Sequence, residues 1–342
     1  MLILAFLPKD SYGSASNSIT DGYRNRVPKT TSQRRGTAML SRKGHLRAVV
    51  LLAMAALLTA LAPAALAQSP AQRVSNGIVA FVTDWGERDF YVGAAKGVAL
   101  SIFPEVTLVD ISHYVEPYDI MEGAVTLMLA AREFPSGTTF VAVVDPGVGT
   151  ERRPIVVHTE NDLFFVGPDN GLFTLVMQEF GVKNVYHITN PSFMRPGKIS
   201  YSFHGRDIFT PTATHIAAGR PVADVGPAID DYIVMDIQPA RREGDALLGE
   251  IIFVDVYGNM QANIDVKLVD ELGLAFGDEV WVTVGDTRIL SKFVNTYGDV
   301  PVGDDLVFIA STDLVEISVN FGNAAERFGA GIGAPVRIEP AR

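Results

Sequence analysis

The sequence predicts an α/β protein with two domains: an N-terminal, mainly parallel sheet with helices on both faces, and a smaller β-rich C-terminal domain. From Asn76 onward, short apolar runs alternate with amphipathic segments, the pattern of β-α-β units. Residues 238–249 are charged and poor in large apolar side chains, as linkers are, and strand patterns predominate after them. We therefore place the domains at residues 75–237 and 245–342.

The elements of the first domain follow in chain order from the change of period. Runs of period two or of continuous apolar residues indicate strands, and apolar residues three or four apart indicate helices. The predicted order is strand GIVAFVT, helix FYVGAAKGVALSIF, strand VTLVDIS, a helix at 120–134, strand TTFVAVV, the pair PIVVHTE and DLFFVG, a helix at 171–180, strand VYHIT and a helix after His204. In the second domain the predicted strands are EIIFVDV, EVWVTV, DLVFIAS and LVEISVN.

Residues 1–67 form a leader with a composition unlike the rest of the chain, with nine Lys or Arg and only two Asp. A basic stretch precedes the apolar run AVVLLAMAALLTALAPAALA, which ends in Ala65-Leu66-Ala67, and this is the order of a secretory signal with an A-x-A cleavage site. We predict a signal peptide at about 39–67 and, once it is cleaved, a periplasmic or extracellular protein without a membrane anchor. The alternative is an uncleaved anchor, which Pro63 and the small residues beside it disfavour.

Residues 1–38 show neither a helical nor a strand period, and they precede the signal. We interpret them as the product of a mis-called start upstream of Met39.

Composition excludes several classes of function. The chain has 342 residues, 48% of them hydrophobic, a net charge of −11 and no cysteine. Such a charge argues against general binding to nucleic acid, and the absence of cysteine excludes disulfides, thiolate catalysis and cysteine zinc sites. The motifs GxGxxG, GxxxxGK[ST], HExxH and GxSxG are also absent, and the histidines are scattered singly, so no metal site is predicted.

Polar side chains follow several predicted strands. In an open α/β sheet, ligands bind beyond the carboxyl ends of the strands, so these residues are candidates for a site. They are Asp84, Asp145, Asp169 and Asn170, together with His204, Arg206 and Asp207, which open the helix after a long loop. Any single one of them is equally well explained as a helix cap or turn residue, but their convergence at one edge indicates function.

Seven motifs in order carry a resemblance to a known family: FVTDWG, EPYDIMEGA, VDPGVGTERRP, GPDNGL, FHGRDIF, VYGNMQAN and ISVNFGNAAERFG. From Asn76 to the end the chain resembles the S-adenosylmethionine (SAM) hydroxide adenosyltransferases, relatives of fluorinating and chlorinating adenosyl enzymes. The resemblance implies an α/β domain followed by a β-barrel-like domain. It also implies a homotrimer that places substrate between neighbouring subunits.

The resemblance further implies hydrolysis of SAM by water at ribose C5′, which gives adenosine and methionine without a cofactor. The family's catalytic triad falls on Asp145, Arg152 and His204, although the adjacent Arg153 is hard to distinguish from Arg152. The implied binding residues are Asp84 for the ribose hydroxyls, Tyr118 for the ribose and adenine pocket, Asp255 and Asn259 for the methionine ammonium and carboxylate, and Ser311 and Ala324 for adenine. Around Ser311 the segment ASTDL departs from the family pattern.

Two alternatives remain at this stage. The first is a halogenase that uses SAM. It is disfavoured because Asp145 and His204 stand where the halogenating relatives carry uncharged residues, and a carboxylate repels a halide. The second is a non-catalytic module that binds adenosine or SAM. Export would favour this alternative, because SAM is a cytoplasmic metabolite and an exported protein would be separated from it. A complete triad favours the enzyme.

Overall fold

The computed structural model describes residues 75–341. The predicted leader, residues 1–67, lies outside them. The first sheet contains the strands β1 (Ile78–Thr83), β2 (Thr107–Ser112), β3 (Thr139–Val143), β4 (Pro154–Thr159), β5 (Phe164–Pro168), β6 (Val182–His187) and β7 (Ala228–Ile229). The helices of this domain are α1 (Tyr91–Ile102), α2 (Ile120–Ala131), α3 (Thr174–Phe180) and α4 (Thr210–Ala217).

The strand order in this sheet is β2-β1-β3-β5-β4-β6-β7. The first four strands in that order are mutually parallel, and β4, β6 and β7 continue the sheet through antiparallel pairs. The carboxyl ends of β1, β3 and β5 therefore meet at one edge. That edge is where an α/β sheet presents its ligand-binding loops.

Both faces of the sheet are covered, and alternation along the strands shows how. In β3, Phe140 and Ala142 join the core that includes α2 and α3, while Val141 and Val143 join the core that includes α1 and α4. Every residue of β3 is buried. This double burial explains why the strand reads as a continuous apolar run rather than an alternating one.

The second domain is a closed β-barrel. Its strands are β8 (Arg241–Glu243), β9 (Ala246–Val254), β10 (Met260–Asp265), β11 (Glu279–Val284), β12 (Thr287–Phe293), β13 (Asp305–Ile309), β14 (Leu314–Val319) and β15 (Pro335–Pro340), with the short helices α5 (Val266–Leu272) and α6 (Ala324–Phe328). The order is β10-β14-β13-β12-β11-β15-β9, and pairing of β9 with β10 closes these seven strands into a ring, which β8 extends at β9. Closure removes the exposed edges of the sheet.

The predicted fold class is thus confirmed for both parts. The sequence pattern did not reveal that β4 runs antiparallel to its neighbours, because a short buried strand carries no mark of its direction. Helix α3 begins at Thr174, three residues later than predicted, since the residues before it form a turn. Within residues 75–341, no helix is both long enough and apolar enough to span a membrane.

Candidate active site

A cavity of about 330 Å³ opens at the edge where β1 and β3 end. Four of the residues predicted from sequence line it: Asp84, Tyr118, Asp145 and His204. Its remaining wall is largely aromatic, formed by Trp85, Tyr91 and Phe203. Edge-to-face contacts join these rings, with Phe203 5.6 Å from Trp85 and 5.0 Å from Tyr91 between ring centroids. The cavity therefore combines two carboxylates and an imidazole with aromatic side chains.

Arg152 joins the catalytic candidates into one unit. Its Nε donates to both carboxylate oxygens of Asp145, at 2.9 and 3.1 Å, and its Nη2 donates to Asp145 Oδ2 at 2.6 Å. The same Nη2 lies 2.7 Å from His204 Nδ1. The side chains of Arg152 and Asp145 are only 8% and 5% exposed, so this ion pair is shielded from solvent. One guanidinium thus fixes the positions of both groups that face the cavity.

The contact with Arg152 also determines the protonation pattern of His204. A guanidinium only donates hydrogen bonds, so Nδ1 must accept, and a neutral ring then carries its proton on Nε2. Burial lowers the pKa of His204, and the neighbouring Arg152 charge lowers it further, against the opposing effects of Asp145, Asp207 and a hydrogen bond to the Ser200 backbone. At neutral pH the imidazole is therefore uncharged, with Nε2–H as its donor.

The backbone around His204 is held by a buried carboxylate. A π-helical turn, Gly205–Phe209, follows His204 directly and leads into α4. Within it Asp207 is fully buried and accepts hydrogen bonds from Arg206 and from the backbone N–H of Ser200, while its own backbone carbonyl accepts from Arg195 N. Asp207 therefore ties the preceding loop to the turn that presents His204.

Asp84 and Tyr118 form the other side of the cavity. Asp84 Oδ2 accepts a hydrogen bond from Tyr118 N at 3.1 Å, and Tyr118 adopts a left-handed backbone conformation with φ 73°. This conformation is uncommon for a residue with a large side chain and marks a constrained loop. Burial raises the pKa of Asp84, and the Asp145 charge contributes in the same direction. The free oxygen of Asp84 can accept from a ligand hydroxyl.

The structure separates Arg152 from Arg153, which the sequence did not. Arg153 turns away and pairs with Asp169 at 2.7 Å and Asp231 at 2.6 Å. Asp169 also accepts from the N–H of Ile233, so this second pair fastens the chain segment that leads toward the barrel. Asn170 donates to the carbonyl of Val144 at 2.9 Å and supports the loop that carries Asp145. Neither Asp169 nor Asn170 lines the cavity.

Two of the predicted binding residues, Asp255 and Asn259, lie in the barrel domain and line a different cavity, of about 610 Å³. Asp255 accepts from the backbone N–H of Tyr257 and Asn259 and from the Asn259 side chain, all at 2.9 Å. No residue lines both cavities among those that the structure describes. Within one chain, the predicted site residues are therefore divided between two separate surfaces.

Aromatic residues of the second cavity were missed by the sequence reasoning. Tyr257, Tyr297 and Phe321 line it, and Tyr257 and Phe321 are 73% and 92% exposed. Phe321 has a positive φ of 56°, which is unusual for an aromatic residue. Tyr257 and Phe321 stand inside the motifs VYGNMQAN and ISVNFGNAAERFG, so a signal was present in the sequence.

The two residues predicted for adenine are not placed alike. Ala324 is fully buried at the start of α6. The next residue, Ala325, donates from its backbone N–H to the carbonyl of Gly258, which lies between Tyr257 and Asn259 in the sequence. Ser311 is exposed in the turn before β14, whereas Phe321 follows the opposite end of that strand. Neither Ser311 nor Ala324 lines the second cavity.

Two of the scattered histidines, His113 and His158, have structural partners. His113 is buried, with Nδ1 2.8 Å from Thr83 Oγ1 and Nε2 3.0 Å from Asp110, and its ring stacks on Trp85. His158 lies 2.8 Å from Asp162 and stacks on Phe164. Across residues 75–341, no group of three His, Cys, Asp or Glu residues is arranged to hold a metal ion.

Most of the chain is similar in sequence to known proteins and in structure to a solved one. An (R)-S-adenosyl-L-methionine hydrolase of Salinispora tropica is 36% identical over 263 residues, which cover 76% of this chain and 97% of the relative. A fluorinase of an Actinoplanes species is 28% identical over 294 residues, covering 78% of this chain and 98% of the relative. A crystal structure of an uncharacterized conserved protein from Thermotoga maritima matches with a TM-score of 0.74 and 38% identity, over 76% of this chain and 99% of that one.

The family models match both domains in order. The model of the SAM hydroxide adenosyltransferase N-terminal domain matches residues 79–226, and that of the C-terminal domain matches residues 249–337. The chain therefore belongs to the SAM hydroxide adenosyltransferase family.

Proposed function

We propose that the protein hydrolyses S-adenosyl-L-methionine by attack of water on ribose C5′ and releases adenosine and L-methionine. The single observation that carries this proposal is the hydrogen-bonded Asp145–Arg152–His204 unit, of which Asp145 and His204 face a cavity that Asp84 also lines. The name (R)-S-adenosyl-L-methionine hydrolase, which relatives at 32–36% identity bear, supports the same reaction.

The chemistry requires little beyond positioning a nucleophile. The water oxygen forms a bond to C5′ while the C5′–S bond breaks, and the electron pair of that bond goes to sulfur. Methionine leaves as a neutral thioether, so no acid is needed at the leaving group. The proton lost by water passes to the Asp145 carboxylate. Catalysis then depends mainly on holding the water oxygen in line with the C5′–S bond.

In this proposal each member of the unit has one role. Arg152 fixes the carboxylate through two nitrogens, and it fixes His204 through Nδ1. The Nε2–H of neutral His204 donates to the attacking oxygen and orients one of its lone pairs toward C5′. Asp84 accepts from the ribose hydroxyls and holds the sugar throughout the reaction. No cofactor takes part in these steps.

The relatives' name specifies the R form of the substrate. SAM has two epimers, which differ in the configuration at the sulfonium sulfur. We therefore propose that the R epimer is a substrate as well as the S epimer. Separate incubations of the purified protein with each epimer, followed by chromatography for adenosine and methionine, test the activity and its stereochemical preference together. Binding of either epimer without product would instead favour a non-catalytic module.

We also propose that the complete site forms between subunits of a homotrimer. The division of the predicted residues between two cavities within one chain supports this. Exposed aromatic side chains border both cavities, among them Tyr118 at 70% beside the first and Phe321 at 92% beside the second. Association that covers such rings removes apolar surface from water.

Export is a further proposal, and it rests on the sequence of the leader. We expect the mature protein in the periplasm or outside the cell, with Gln68 as its first residue, because Ala65-Leu66-Ala67 matches the small-residue cleavage pattern. N-terminal sequencing of protein isolated from the native host measures this. A cytoplasmic protein that retains residues 42–67 would contradict it.

Catalytic and binding residues should fail differently. Asp145→Ala and His204→Ala are expected to lower kcat by about 10²–10⁴-fold with smaller effects on KM, because their interactions strengthen in the transition state. Asp84→Ala should chiefly raise KM, because it removes hydrogen bonds to ribose. The expected loss of binding free energy is about 1–3 kcal/mol. Steady-state kinetics distinguishes the two patterns.

The matched control is Asp169→Asn. Asp169 is also a carboxylate paired with an arginine at the same edge of the sheet, but it lies outside the cavity. Its substitution should leave kcat near the wild-type value in protein that remains folded. Unchanged turnover in Asp145→Ala and His204→Ala would refute the assignment of the triad.

The pH dependence of kcat follows from the lowered pKa of His204. Because the neutral ring is the working form, kcat should stay constant as pH falls from 8 to the ordinary histidine value of about 6.5 and should decline only below it. The rate is measured at saturating substrate, because the titration of Asp84 is then expected to affect KM and not kcat. A decline above pH 6.5 that disappears in His204→Gln would contradict the assignment.

If each active site is shared between two subunits, two variants that are defective in different cavities should restore activity when they are mixed. Asp145→Ala damages the first cavity and Asp255→Ala the second, so at a substrate concentration well below KM each variant alone should turn over much more slowly than the wild type. Unfolding the two together and refolding them as a mixture should restore a fraction of the wild-type rate, because some interfaces pair two intact cavities. If light scattering gives the mass of a single chain, or if the mixture stays as inactive as its components, the shared site is excluded.

A further inference from the structure

The polar side chains of the second cavity are committed in a way that restricts its ligands. Asn259 Nδ2 donates to Asp255 at 2.9 Å, and Asn320 Nδ2 donates to the carbonyl of Val300 at 2.8 Å. Among the residues that line this cavity in the described part of the chain, none is Lys or Arg. One N–H of each amide is thus used within the protein, the cavity offers a ligand no cationic donor, and its strongest acceptor is the carboxylate of Asp255.

Tyr297 extends this pattern through a buried partner. Its hydroxyl contacts Oε1 of Glu316, a residue only 5% exposed inside the barrel. An ionised carboxylate only accepts hydrogen bonds, so the hydroxyl proton must point to Glu316. Only the lone pairs of Tyr297 Oη remain to face a ligand. Burial and the bond to Glu316 both raise the pKa of Tyr297, so the hydroxyl keeps its proton at all physiological pH values.

Glu316 is an unusual component of a barrel interior. It accepts two further hydrogen bonds, from Gln261 Nε2 at 3.0 Å and from Ser318 Oγ at 2.9 Å, and no Lys or Arg pairs with it in the described part of the chain. A buried carboxylate without a counter-ion costs free energy, even when it is hydrogen-bonded. The proton donated by Tyr297 accounts for one of its bonds and connects it to the cavity. The negative charge of Glu316 and that of Asp255 also favour a ligand group with positive character.

We propose that Glu316 is a positioning residue that fixes Tyr297 Oη as an acceptor, and that Tyr297 Oη accepts a hydrogen bond from an amino group of the ligand. This rests on the proposed function for the identity of the ligand. SAM carries two such groups, the α-ammonium of its methionine part and the 6-amino group of adenine. Both present N–H donors with positive character, and the exposed rings of Tyr257 and Phe321 suit either one.

Calorimetric titration tests the selection without requiring turnover. The ligands are SAM, an analogue without the α-amino group and an analogue with hypoxanthine in place of adenine. Tyr297→Phe should weaken binding of SAM by about 3–10-fold, the usual effect of one hydrogen bond, and should not change the affinity for the analogue that lacks the selected amino group. That analogue identifies which of the two amino groups is bound. An equal loss for all three ligands, or no loss for any, overturns the proposal.

Two further variants separate positioning from general structural damage. Glu316→Gln keeps the shape but removes the charge, so it should lower the pKa of Tyr297 in a tyrosine absorbance titration, with Tyr297→Phe as the reference. It should also weaken binding of the same ligands as Tyr297→Phe does. Ser318→Ala removes a different donor to Glu316 without reaching the cavity, and it should preserve the order of ligand affinities. An unchanged Tyr297 titration in Glu316→Gln would refute the role of Glu316.

If wild-type protein binds SAM with the predicted selectivity but releases no adenosine, the proposed hydrolysis fails while this inference stands. If it hydrolyses SAM and Tyr297→Phe affects all analogues alike, the inference fails while the hydrolysis stands.

Discussion

The active-site arrangement depends on one shared guanidinium. Arg152 donates to Asp145 through Nε and Nη2, and the same Nη2 reaches His204 Nδ1. This geometry needs the end of β3, the loop after it and the π-helical turn at Gly205–Phe209 to meet at one edge, which the parallel order of β1, β3 and β5 provides. Because the ion pair is shielded from solvent, removal of either partner would leave a buried charge without compensation.

Carboxylates have contrasting roles in the two cavities. In the first, Asp145 is held by an arginine, and Asp84 lines the same cavity. In the second, Asp255 and Glu316 act only as acceptors, and Tyr297 is turned into an acceptor by Glu316. In our proposal the first cavity positions the water nucleophile and the second recognises an amino group. Juxtaposition of two chains would give a single substrate both environments.

Much of this was predictable from sequence, because periodicity reports burial and strand-end polar residues report the ligand edge. The two-domain fold and the convergence of Asp84, Asp145 and His204 follow from those signals, whereas the barrel and the choice of Asp255 came from the resemblance to the family. The distinction between Arg152 and Arg153 did not, since it depends on which carboxylate each side chain reaches in three dimensions. The link between Tyr297 and Glu316 was equally invisible, because it joins residues 19 positions apart through the barrel interior.

The origin of the new oxygen atom tests the central claim most directly. Incubation of the purified protein with SAM in water enriched in ¹⁸O, followed by mass spectrometry of both products, locates the bond that breaks. Attack at C5′ predicts the label in the 5′-hydroxyl of adenosine and none in methionine. Unlabelled adenosine, or label in the amino-acid product, would contradict the account.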